Sequence, residues 1–391
     1  MEMKVGIFNE SFAPTVDGVA KVTENYAYWI NQKHGECIVV TPNVPGAVDN
    51  YPFMVKRYAS VTVPLRSEYR FGLPKWDVPF WRELKRTEFD IVHAHSPFGS
   101  GGAARATAKR LNVPFVTTFH SKFKEDFKIA LKVDAIVNIV LAKIAAFYES
   151  ADEVWVVNES AVDTLREYGY KGEVHIMENG CDIDVQYSSN EASKQINEMF
   201  SLDADTPLFM YIGQHTWQKN LKMVMQSLKI LRDGGTEFHM VFIGDGAKRK
   251  EMERMTADFG LGANVTFAGK IYDRDVVSKI YLRSSAMLFP STYDTSSLVP
   301  KEAAACGCPT VFVKGSSTAQ GITAKNGFLI EDTAQSLAQA ATFIAHNPDK
   351  AKKVGSHARK SVYRSWEDAV EIATKRYEYL IEKRKTSSVK G

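Results

Sequence analysis

The sequence lacks the features that mark several protein classes. Its 391 residues contain four cysteines, too few for a disulfide framework in a chain of this size. Cys306 and Cys308 are spaced too closely for the usual zinc knuckle, so we expect buried, reduced thiols. The most apolar stretch, 135–147, is too short and too polar to span a bilayer, and the N-terminus carries no signal-peptide run. These absences argue against a disulfide scaffold and against an integral membrane protein.

Neither sign of charge dominates, and two common nucleotide-binding loops are missing. The 49 basic and 46 acidic residues leave a net charge of +3, so no nucleic-acid partner is expected. No Gly-x-Gly-x-x-Gly follows the first predicted strand, and no Gly-Lys-Ser/Thr loop occurs. Dinucleotide redox chemistry and P-loop chemistry are therefore disfavoured. The content of 45% hydrophobic and 24% charged residues is ordinary for a globular protein.

Short apolar runs alternate with helical patterns along the whole chain. Strands are predicted at 5–9, 37–41, 53–58, 91–95, 115–120, 154–158, 174–177, 208–213, 240–244, 265–269, 287–290 and 310–313. Helices are predicted at 21–32, 101–111, 133–148, 221–233, 248–259, 276–284 and 337–346. Nearly continuous apolar strands of this kind are typical of parallel sheets covered on both faces. Because so many strands exceed one comfortable sheet, the sequence predicts an α/β protein with two Rossmann-like, doubly wound domains.

The predicted domain boundary lies in the polar stretch 186–207, ahead of a fresh strand at Leu208. The domains are accordingly placed at 1–190 and 191–365. The final segment, 366–391, is predicted to form a helix over 366–383 and to end in a loose polar stretch. In open parallel sheets, ligands bind beyond the carboxyl ends of the strands. Polar residues and glycines follow these ends in both domains, so each domain is expected to present a ligand-binding edge.

The strongest single pattern lies between Tyr293 and Pro309. Asp294 and Glu302 are eight positions apart, with small polar residues between them and a helix expected near Leu298. Amide groups at a helix start bind phosphate. A carboxylate before the helix can reach sugar hydroxyls, and one two turns into it can accept hydrogen bonds from a ribose. Spacing alone leaves an alternative open, a surface cap followed by a solvated helical glutamate.

Taken in order, motifs along the chain resemble those of the retaining glycosyltransferases of family 4, which have the GT-B fold. The motifs are Phe12-x-Pro14-x-x-x-Gly18-Val19, His93-x-His95, Thr118-x-His120, Asn179-Gly180-Cys181-Asp182, Gly213 with Lys219, Gly244-x-Gly246, and the acidic pair ending in Glu302-Ala303. The resemblance covers essentially the whole chain. It implies two lobes that face each other across a cleft, and segment 366–391 crossing back onto the N-terminal domain. The C-terminal domain would hold a nucleotide-sugar donor and the N-terminal domain the acceptor.

The resemblance also assigns roles to individual residues. The catalytic residues would be His120, over the donor sugar, Asp294, on the sugar's hydroxyls, and Lys219, which would neutralise the diphosphate leaving group. The residues implied to bind the donor are Gly18, Gly213, Gln214, Lys219, Gly244, Lys270, Ile271, Ser297, Leu298, Val299 and Glu302. The residues implied on the acceptor side are Asp17, His95, Tyr69 and Lys122. No metal site and no cofactor are expected.

Within the donor set the resemblance is more specific. The backbone of Gly18 would approach the diphosphate where a side chain would clash. Lys270 and Ile271 would frame the nucleobase, and Glu302 would hold the ribose. Leu298 and Val299 would offer backbone amides to the phosphate.

Three positions depart from the usual pattern of the family. Asp294 stands where Glu is usual, which shortens the carboxylate by one methylene. Gln214 stands where Arg is usual, which leaves Lys219 as the obvious cation for the diphosphate. Ser296-Ser297 stands where Phe-Gly is usual. For His215 two interpretations stay open: it assists Gln214, or it is a solvent-facing loop histidine.

Two further signals are weak. Asp182 and Asp184 match a metal-binding string, but they follow a turn that the resemblance places between the domains, and an ordinary turn is favoured over a metal site. His93 and His95 would point to opposite faces of a strand. His93 is interpreted as a packed, hydrogen-bonded core histidine.

The segment 98–148 is basic, with eight basic residues against three acidic ones. Phe119, Phe123 and Phe127 are interleaved with the charges, which suits an anionic membrane surface. The alternative is a solvated helix face over ordinary core. Segments 63–71 and 120–127 resemble acceptor-side loops of family members that glycosylate membrane lipids. A cytoplasmic protein is therefore expected, and a peripheral location at the inner membrane face stays open beside the solvated helix face.

These inferences together predict a metal-independent hexosyltransferase that moves a sugar from a nucleotide-diphosphate sugar to an acceptor hydroxyl with retention of configuration. A UDP-sugar is favoured by analogy alone, and a membrane lipid is the favoured acceptor. Two alternatives stay open. One is a GT-B-fold epimerase or hydrolase of nucleotide sugars, and the other is a non-enzymatic nucleotide-sugar sensor, suggested by Gln214 and Asp294.

Overall fold

The computed structural model describes residues 2–15, 17–63, 66–120, 123–181, 183, 187–294 and 297–389. The chain forms two compact units, Met1–Gly180 with Trp366–Gly391, and Cys181–Ser365. The division thus falls between Gly180 and Cys181, ahead of the position inferred from composition. Each unit is built on its own parallel sheet.

The first unit contains a parallel sheet and a small antiparallel hairpin. Its strands are β1 (Met3–Phe8), β2 (Gly35–Pro42), β3 (Met54–Tyr58), β4 (Ser60–Val63), β5 (Arg66–Gly72), β6 (Ile91–Ala94), β7 (Phe115–Phe119), β8 (Glu153–Val156) and β9 (His175–Ile176). Its helices are α1 (Gly18–Lys33), α2 (Val78–Leu84), α3 (Gly99–Leu111), α4 (Phe123–Leu131), α5 (Asp134–Glu149) and α6 (Glu159–Glu167), joined by the last helix of the chain. The sheet has seven strands in the order β3-β2-β1-β6-β7-β8-β9, and β4 pairs with β5.

The second unit repeats this architecture with a smaller sheet. Its strands are β10 (Leu208–Ile212), β11 (His239–Ile243), β12 (Val265–Gly269), β13 (Ala286–Phe289), β14 (Thr310–Val313) and β15 (Phe328–Ile330). Its helices are α7 (Ser189–Phe200), α8 (Leu221–Asp233), α9 (Arg249–Asp258), α10 (Arg274–Arg283), α11 (Val299–Ala305), α12 (Ala334–His346) and α13 (Pro348–Ser361). The six strands run in the order β12-β11-β10-β13-β14-β15, and each neighbouring pair is parallel.

Both sheets are covered on their two faces, as the continuous apolar strands predict. Ile7 and Phe8 are successive residues of β1, so their side chains point to opposite faces, and both are fully buried. Val241 and Phe242 show the same pattern in β11. The predicted fold class, two Rossmann-like parallel-sheet domains, is confirmed.

The structure adds elements that the sequence pattern did not predict. All the predicted strands and helices are present, whereas the β4–β5 hairpin, the short β15 and helices α2, α4, α6, α7 and α13 were not predicted. Helix α7 occupies most of the stretch that was interpreted as a polar boundary. Ser188 and Glu191 form a reciprocal capping box at its start, and Ala192 and Ile196 are its buried residues.

The last helix, α14 (Trp366–Val389), packs against the first unit and runs past the predicted end at 383. The ring of Tyr377 stacks on Trp155, with ring centroids 5.1 Å apart. Arg376 Nε donates to both oxygens of Glu153 at 2.8 and 2.9 Å. No helix of the described chain combines the length and the apolar content that a bilayer crossing requires.

Candidate active site

In the second unit, predicted site residues follow four neighbouring strands. Gly213 follows β10, Gly244 follows β11, Lys270 follows β12, and Asp294 lies beyond β13. Because these strands are parallel neighbours in the order β12-β11-β10-β13, their carboxyl ends share one edge of the sheet. The ligand-binding edge expected for this domain therefore carries all four residues.

Glycines let the backbone segments at this edge lie against one another. Gly244 has φ +120°, and a Cβ on it would lie 2.1 Å from the carbonyl oxygen of Gly213. The amide of Gly213 donates to Ile243 at 3.0 Å, and that of Gly244 donates to Gly269 at 2.7 Å. A Cβ on Gly246 would lie 2.6 Å from the carbonyl oxygen of His215. A side chain is thus excluded at Gly244 and at Gly246, where one backbone segment lies directly against the next.

Lys219 and Asp294 form an ion pair at this edge. Lys219 ends a 3-10 turn after β10, and each of the two side chains is 17% exposed. Asp294 Oδ2 is buried and meets no hydrogen-bond partner in the described part of the chain. The Nζ of Lys219 also lies 5.4 Å from the ring centroid of Tyr293. The structure therefore brings together the predicted diphosphate cation and the predicted sugar carboxylate.

Glu302, in α11, has partners on both carboxylate oxygens. Arg274 Nη2 donates to Oε1 at 2.7 Å, and the hydroxyl of Tyr281 donates to Oε2 at 3.2 Å. Burial and the charge of Glu302 raise the pKa of Tyr281, so its hydroxyl stays protonated as a donor. The sequence analysis missed both partners. The residues lie in α10, 21 and 28 positions from Glu302, and no local spacing connects them.

The other predicted donor residues differ in exposure. Gln214 and Lys270 are exposed, and Ile271 is half-buried against the core of the second unit. The amide of Val299 donates to Ser297 Oγ at 3.4 Å. Leu298 is half-buried and immediately precedes α11. The roles assigned to these residues stay predictions.

The interpretation of His215 as a solvent-facing loop histidine was wrong, and its assistance to Gln214 stays a prediction. The side chain is fully buried, with its ring among Tyr211, Phe242 and Phe267, at centroid distances of 6.1 to 6.3 Å. Burial lowers the pKa of this imidazole. The close approach of Gly246 covers the His215 backbone, which the sequence could not reveal. A buried, neutral ring does not replace the cation that is missing at Gln214.

In the first unit, Asp17 acts as the N-cap of α1. Its Oδ1 accepts from the amide of Ala20 at 2.7 Å, and the hydroxyl of Ser11 donates to Oδ2. Gly18 opens the helix, and a Cβ built on it would meet no atom of the described residues within 4 Å. The protein's own packing therefore does not require glycine at position 18, so the predicted role of Gly18 depends on the ligand.

Three histidines lie together at the carboxyl ends of β6 and β7, which are neighbours in the sheet. His95 Nδ1 and His120 Nε2 are joined by a hydrogen bond of 2.9 Å. The rings of His93 and His95 have centroids 4.1 Å apart. The expectation that these two side chains occupy opposite faces was wrong, because β6 ends at Ala94 and strand alternation stops before His95.

The prediction that His93 is a core histidine is confirmed. It is fully buried, and its ring nitrogens meet Tyr377 Oη at 2.5 Å and Thr118 Oγ1 at 2.7 Å. Burial lowers the pKa of His93 and of His95 well below the ordinary value. Burial also lowers the pKa of His120 to about 3. All three imidazoles are therefore neutral near pH 7.

Glu10 is a further residue at this edge to which the sequence analysis gave no role. Its Oε1 accepts from the amide of Gly72 at 2.6 Å and its Oε2 from the amide of Ser100 at 2.8 Å. Burial raises the pKa of this carboxyl group. Its position directly after the first predicted strand was the available signal. Glu10 ties the β4–β5 hairpin and the start of α3 to the end of β1.

Helices α4 and α5 and the two residues that link them carry what we call the α4–α5 surface. It consists of the exposed side chains of Leu131, Lys132, Val133, Ile136, Ile139 and Lys143. The four apolar members are 36%, 47%, 45% and 57% exposed in chain order. In α4, Phe123 and Phe127 pack on Phe98 with ring centroids 5.5 and 6.4 Å away. Apolar and basic side chains thus reach solvent together.

Some predicted residues cannot be placed. Lys122, Asp182 and Asp184 lie outside the described residues, and of Tyr69 the structure describes only its place in β5.

Two family models match the chain. Residues 16–185 match Glycosyltransferase Family 4, and residues 193–361 match Glycosyl transferases group 1. Alpha-monoglucosyldiacylglycerol synthase of Acholeplasma laidlawii is 21% identical over 320 residues, which cover 79% of this chain and 80% of that protein. GDP-mannose-dependent alpha-mannosyltransferase of Corynebacterium glutamicum is 22% identical over 352 residues, covering 88% and 80%.

Solved structures show the same architecture. Anabaena HepE in complex with UDP superposes with a TM-score of 0.79 at 16% identity, covering 96% of this chain and 100% of that chain. The resemblance drawn from the sequence motifs is confirmed. The chain belongs to glycosyltransferase family 4, the glycosyl transferases of group 1, and is a nucleotide-sugar-dependent glycosyltransferase with the GT-B fold.

Proposed function

We propose that the protein transfers a hexose from a UDP-sugar to a hydroxyl group of a membrane lipid, with retention of anomeric configuration. The single observation that carries the donor part is the Lys219–Asp294 pair at an edge where glycines expose the main chain. The acceptor part is supported by the α4–α5 surface and by a relative named as a monoglucosyldiacylglycerol synthase. UDP is favoured because a structural neighbour was solved with it.

The donor-side chemistry is positioning and electrostatics. When the bond from the anomeric carbon to the diphosphate breaks, negative charge develops on the leaving phosphate, and the ammonium of Lys219 stabilises it. Asp294 Oδ2 is buried and has no hydrogen-bond partner among the described residues. It therefore accepts hydrogen bonds from the sugar's hydroxyls. Glu302, held by Arg274 and Tyr281, accepts from the ribose. His120 contacts the transferred sugar, and the departing diphosphate helps to deprotonate the acceptor hydroxyl.

The acceptor side is placed at a lipid surface. Exposed aliphatic side chains beside lysines suit the interface of an anionic bilayer, where the apolar groups enter the headgroup boundary and the lysines meet lipid phosphates. Phe98, which precedes α3 at the carboxyl edge of the sheet, packs on α4. Helix α4, which leads into the α4–α5 surface, is therefore in contact with the segment that follows β6, the strand that ends just before His95.

The test is product analysis with defined donors and vesicles. The protein is incubated with UDP-glucose, UDP-galactose or GDP-mannose and with phosphatidylglycerol vesicles that contain diacylglycerol or lack it. The expected product is a glycolipid with the donor's anomeric configuration, formed from a UDP-sugar and only with the acceptor present. Lys219→Met serves as the inactive control. Free hexose or an epimerised donor as the sole product, or donor binding without turnover, would contradict the proposal.

A further inference from the structure

The hydrogen bond between His95 and His120 constrains the protons of both rings. The 2.9 Å contact joins Nδ1 of one to Nε2 of the other, and the rings are nearly parallel, with a 19° angle between their planes. Both imidazoles are neutral near pH 7, because burial lowers their pKa values. Each neutral ring carries one N–H. One proton therefore lies between the two facing nitrogens, and it belongs to either His95 or His120.

The second nitrogen of His95 decides between these assignments. His95 Nε2 is buried and meets no hydrogen-bond partner among the described residues. If His120 donated, the proton of His95 would sit on Nε2, and a buried N–H would be left unpaired. If His95 donates through Nδ1–H, Nε2 keeps only a lone pair. Orphaned buried N–H groups are the rarer and costlier case, so His95 is the donor.

Contacts on several sides fix the orientation of the His95 ring. Its backbone amide donates to Phe8 at 2.8 Å, and the ring of Tyr26 meets its ring edge-on at 5.5 Å. The ring of His93 covers it at 4.1 Å, and hydrogen bonds to Thr118 and Tyr377 fix His93 itself. The orientation of His95 is therefore set from the core of the first unit.

We propose that His95 is a positioning residue that holds His120 as the Nδ1-protonated tautomer, so that His120 offers the donor sugar an N–H group and not a lone pair. Since Nε2 of His120 accepts from His95, its own proton must be on Nδ1. The group that His120 recognises is then an oxygen with a free lone pair, such as a sugar hydroxyl acting as acceptor. The proposal rests on the proposed contact of His120 with the transferred sugar.

The first test observes the tautomer directly and needs no substrate. Long-range ¹H–¹⁵N correlation spectra of protein labelled with ¹⁵N-histidine distinguish Nδ1–H from Nε2–H, and His120→Asn assigns the resonance. We expect the wild-type His120 signal to show Nδ1–H near pH 7.5. A His120 signal of the Nε2–H type, in the folded wild-type protein, overturns the proposal without recourse to any variant.

Two matched substitutions extend the test to function. In His95→Asn the amide NH₂ stands near the place of Nδ1–H, whereas in His95→Gln it reaches toward the place of Nε2. We expect H95N to keep the Nδ1–H signal of His120 and to lower kcat less than H95Q does. H95Q should shift His120 toward Nε2–H and lower kcat about 10-fold or more, the size of one lost hydrogen bond. Equal tautomers and equal kcat in the two variants would refute the positioning role.

Failure of the proposed function gives a different result. If His120→Ala leaves kcat unchanged while the wild-type spectrum shows Nδ1–H, the assignment of His120 to the sugar is wrong and the tautomer control by His95 stands.

Discussion

Lys219 and Asp294 are each other's partner, one placed after β10 and the other beyond the neighbouring strand β13. The family resemblance implies that Lys219 binds the diphosphate and that Asp294 binds the transferred sugar. The ammonium of Lys219 and the carboxylate of Asp294 neutralise one another, and both side chains are mostly buried. A donor that binds here must therefore bring its diphosphate to the lysine and its sugar hydroxyl groups to the carboxylate. The pair therefore keeps either charge from being buried alone before the donor arrives.

Breaking this pair should cost stability as well as activity. We predict that Lys219→Met, which leaves Asp294 without its cation, lowers the free energy of unfolding by about 1–3 kcal/mol and that Asp294→Asn has a smaller effect. The double variant K219M/D294N should lose less than the sum of the two single losses, as measured by urea denaturation. Lys314→Met, from an ion pair whose side chains are 69% and 74% exposed, is the control and should change little. Strict additivity would show that the pair is not coupled.

Glu302 and Arg274 test the placement of the ribose. Glu302→Ala should weaken UDP binding about 10-fold or more, because the ribose loses its acceptor. Arg274→Met should weaken it less, about threefold to tenfold, because Glu302 loses an orienting bond worth about 1 kcal/mol but keeps Tyr281. Titration calorimetry with UDP measures both. Lys229→Met, from a surface ion pair in α8, should leave the affinity unchanged. Unaltered UDP affinity in E302A would remove Glu302 from the nucleotide site.

A substitution at Gly18 can distinguish an effect on donor binding from an effect on the stability of the fold. Within the part of the chain that the structure describes, a Cβ at this position meets no atom within 4 Å, and Gly18 lies in the first turn of α1. Gly18→Ala should therefore leave the thermal midpoint unchanged or slightly raised, since alanine favours helix. If the backbone approaches the diphosphate, the added methyl should nevertheless lower kcat/KM for the donor by about 10-fold or more. Gly102→Ala, in α3 and equally open, is the control. An active G18A enzyme would place the diphosphate elsewhere.

Most strands and helices could be predicted because their signal, the pattern of apolar residues, lies within each segment. A run such as that of β11, in which both Val241 and Phe242 are apolar, already indicates a sheet covered on two faces. The β4–β5 hairpin and the three-residue β15 were missed because short or interrupted segments have too few positions to show a period. Helix α7 was missed because its polar surface outweighs its two buried residues, although its capping box was a usable signal.

The site was predictable only as far as it follows strand ends. Gly213, Gly244 and Asp294 could be placed because each lies shortly after an apolar strand. The partners of Glu302 could not, since Arg274 and Tyr281 reach it from another helix. The burial of His215 depends on Gly246 from the next strand end. Contacts between segments distant in sequence have no signature in one sequence, so these features required the structure.

The neutral histidines predict a particular sensitivity to acid. Burial lowers the pKa of His120 to about 3 in the folded protein, against about 6.5 when unfolded. The unfolded chain therefore binds more protons between these values. The stabilising contribution is complete above pH 6.5 and falls as the pH drops toward 3, by up to about 1.4 kcal/mol per pH unit for this group. Urea denaturation at pH 7.5, 6.5 and 5.5 should show His120→Asn with a shallower decline than the wild type. Parallel declines would contradict the neutral assignment.

The α4–α5 surface predicts electrostatic binding to anionic membranes. An anionic surface attracts each nearby lysine by about 1 kcal/mol, so Lys132→Glu with Lys143→Glu should weaken binding to phosphatidylglycerol vesicles by about 30-fold or more in sedimentation assays. Raising the salt concentration should weaken wild-type binding in the same direction. The double variant K352E/K353E, with the same charge change on exposed positions of α13, is the control and should bind as the wild type does. If both double variants bind the vesicles equally well, Lys132 and Lys143 belong to a solvated helix face. The apolar members of the α4–α5 surface would then contact something other than an anionic membrane.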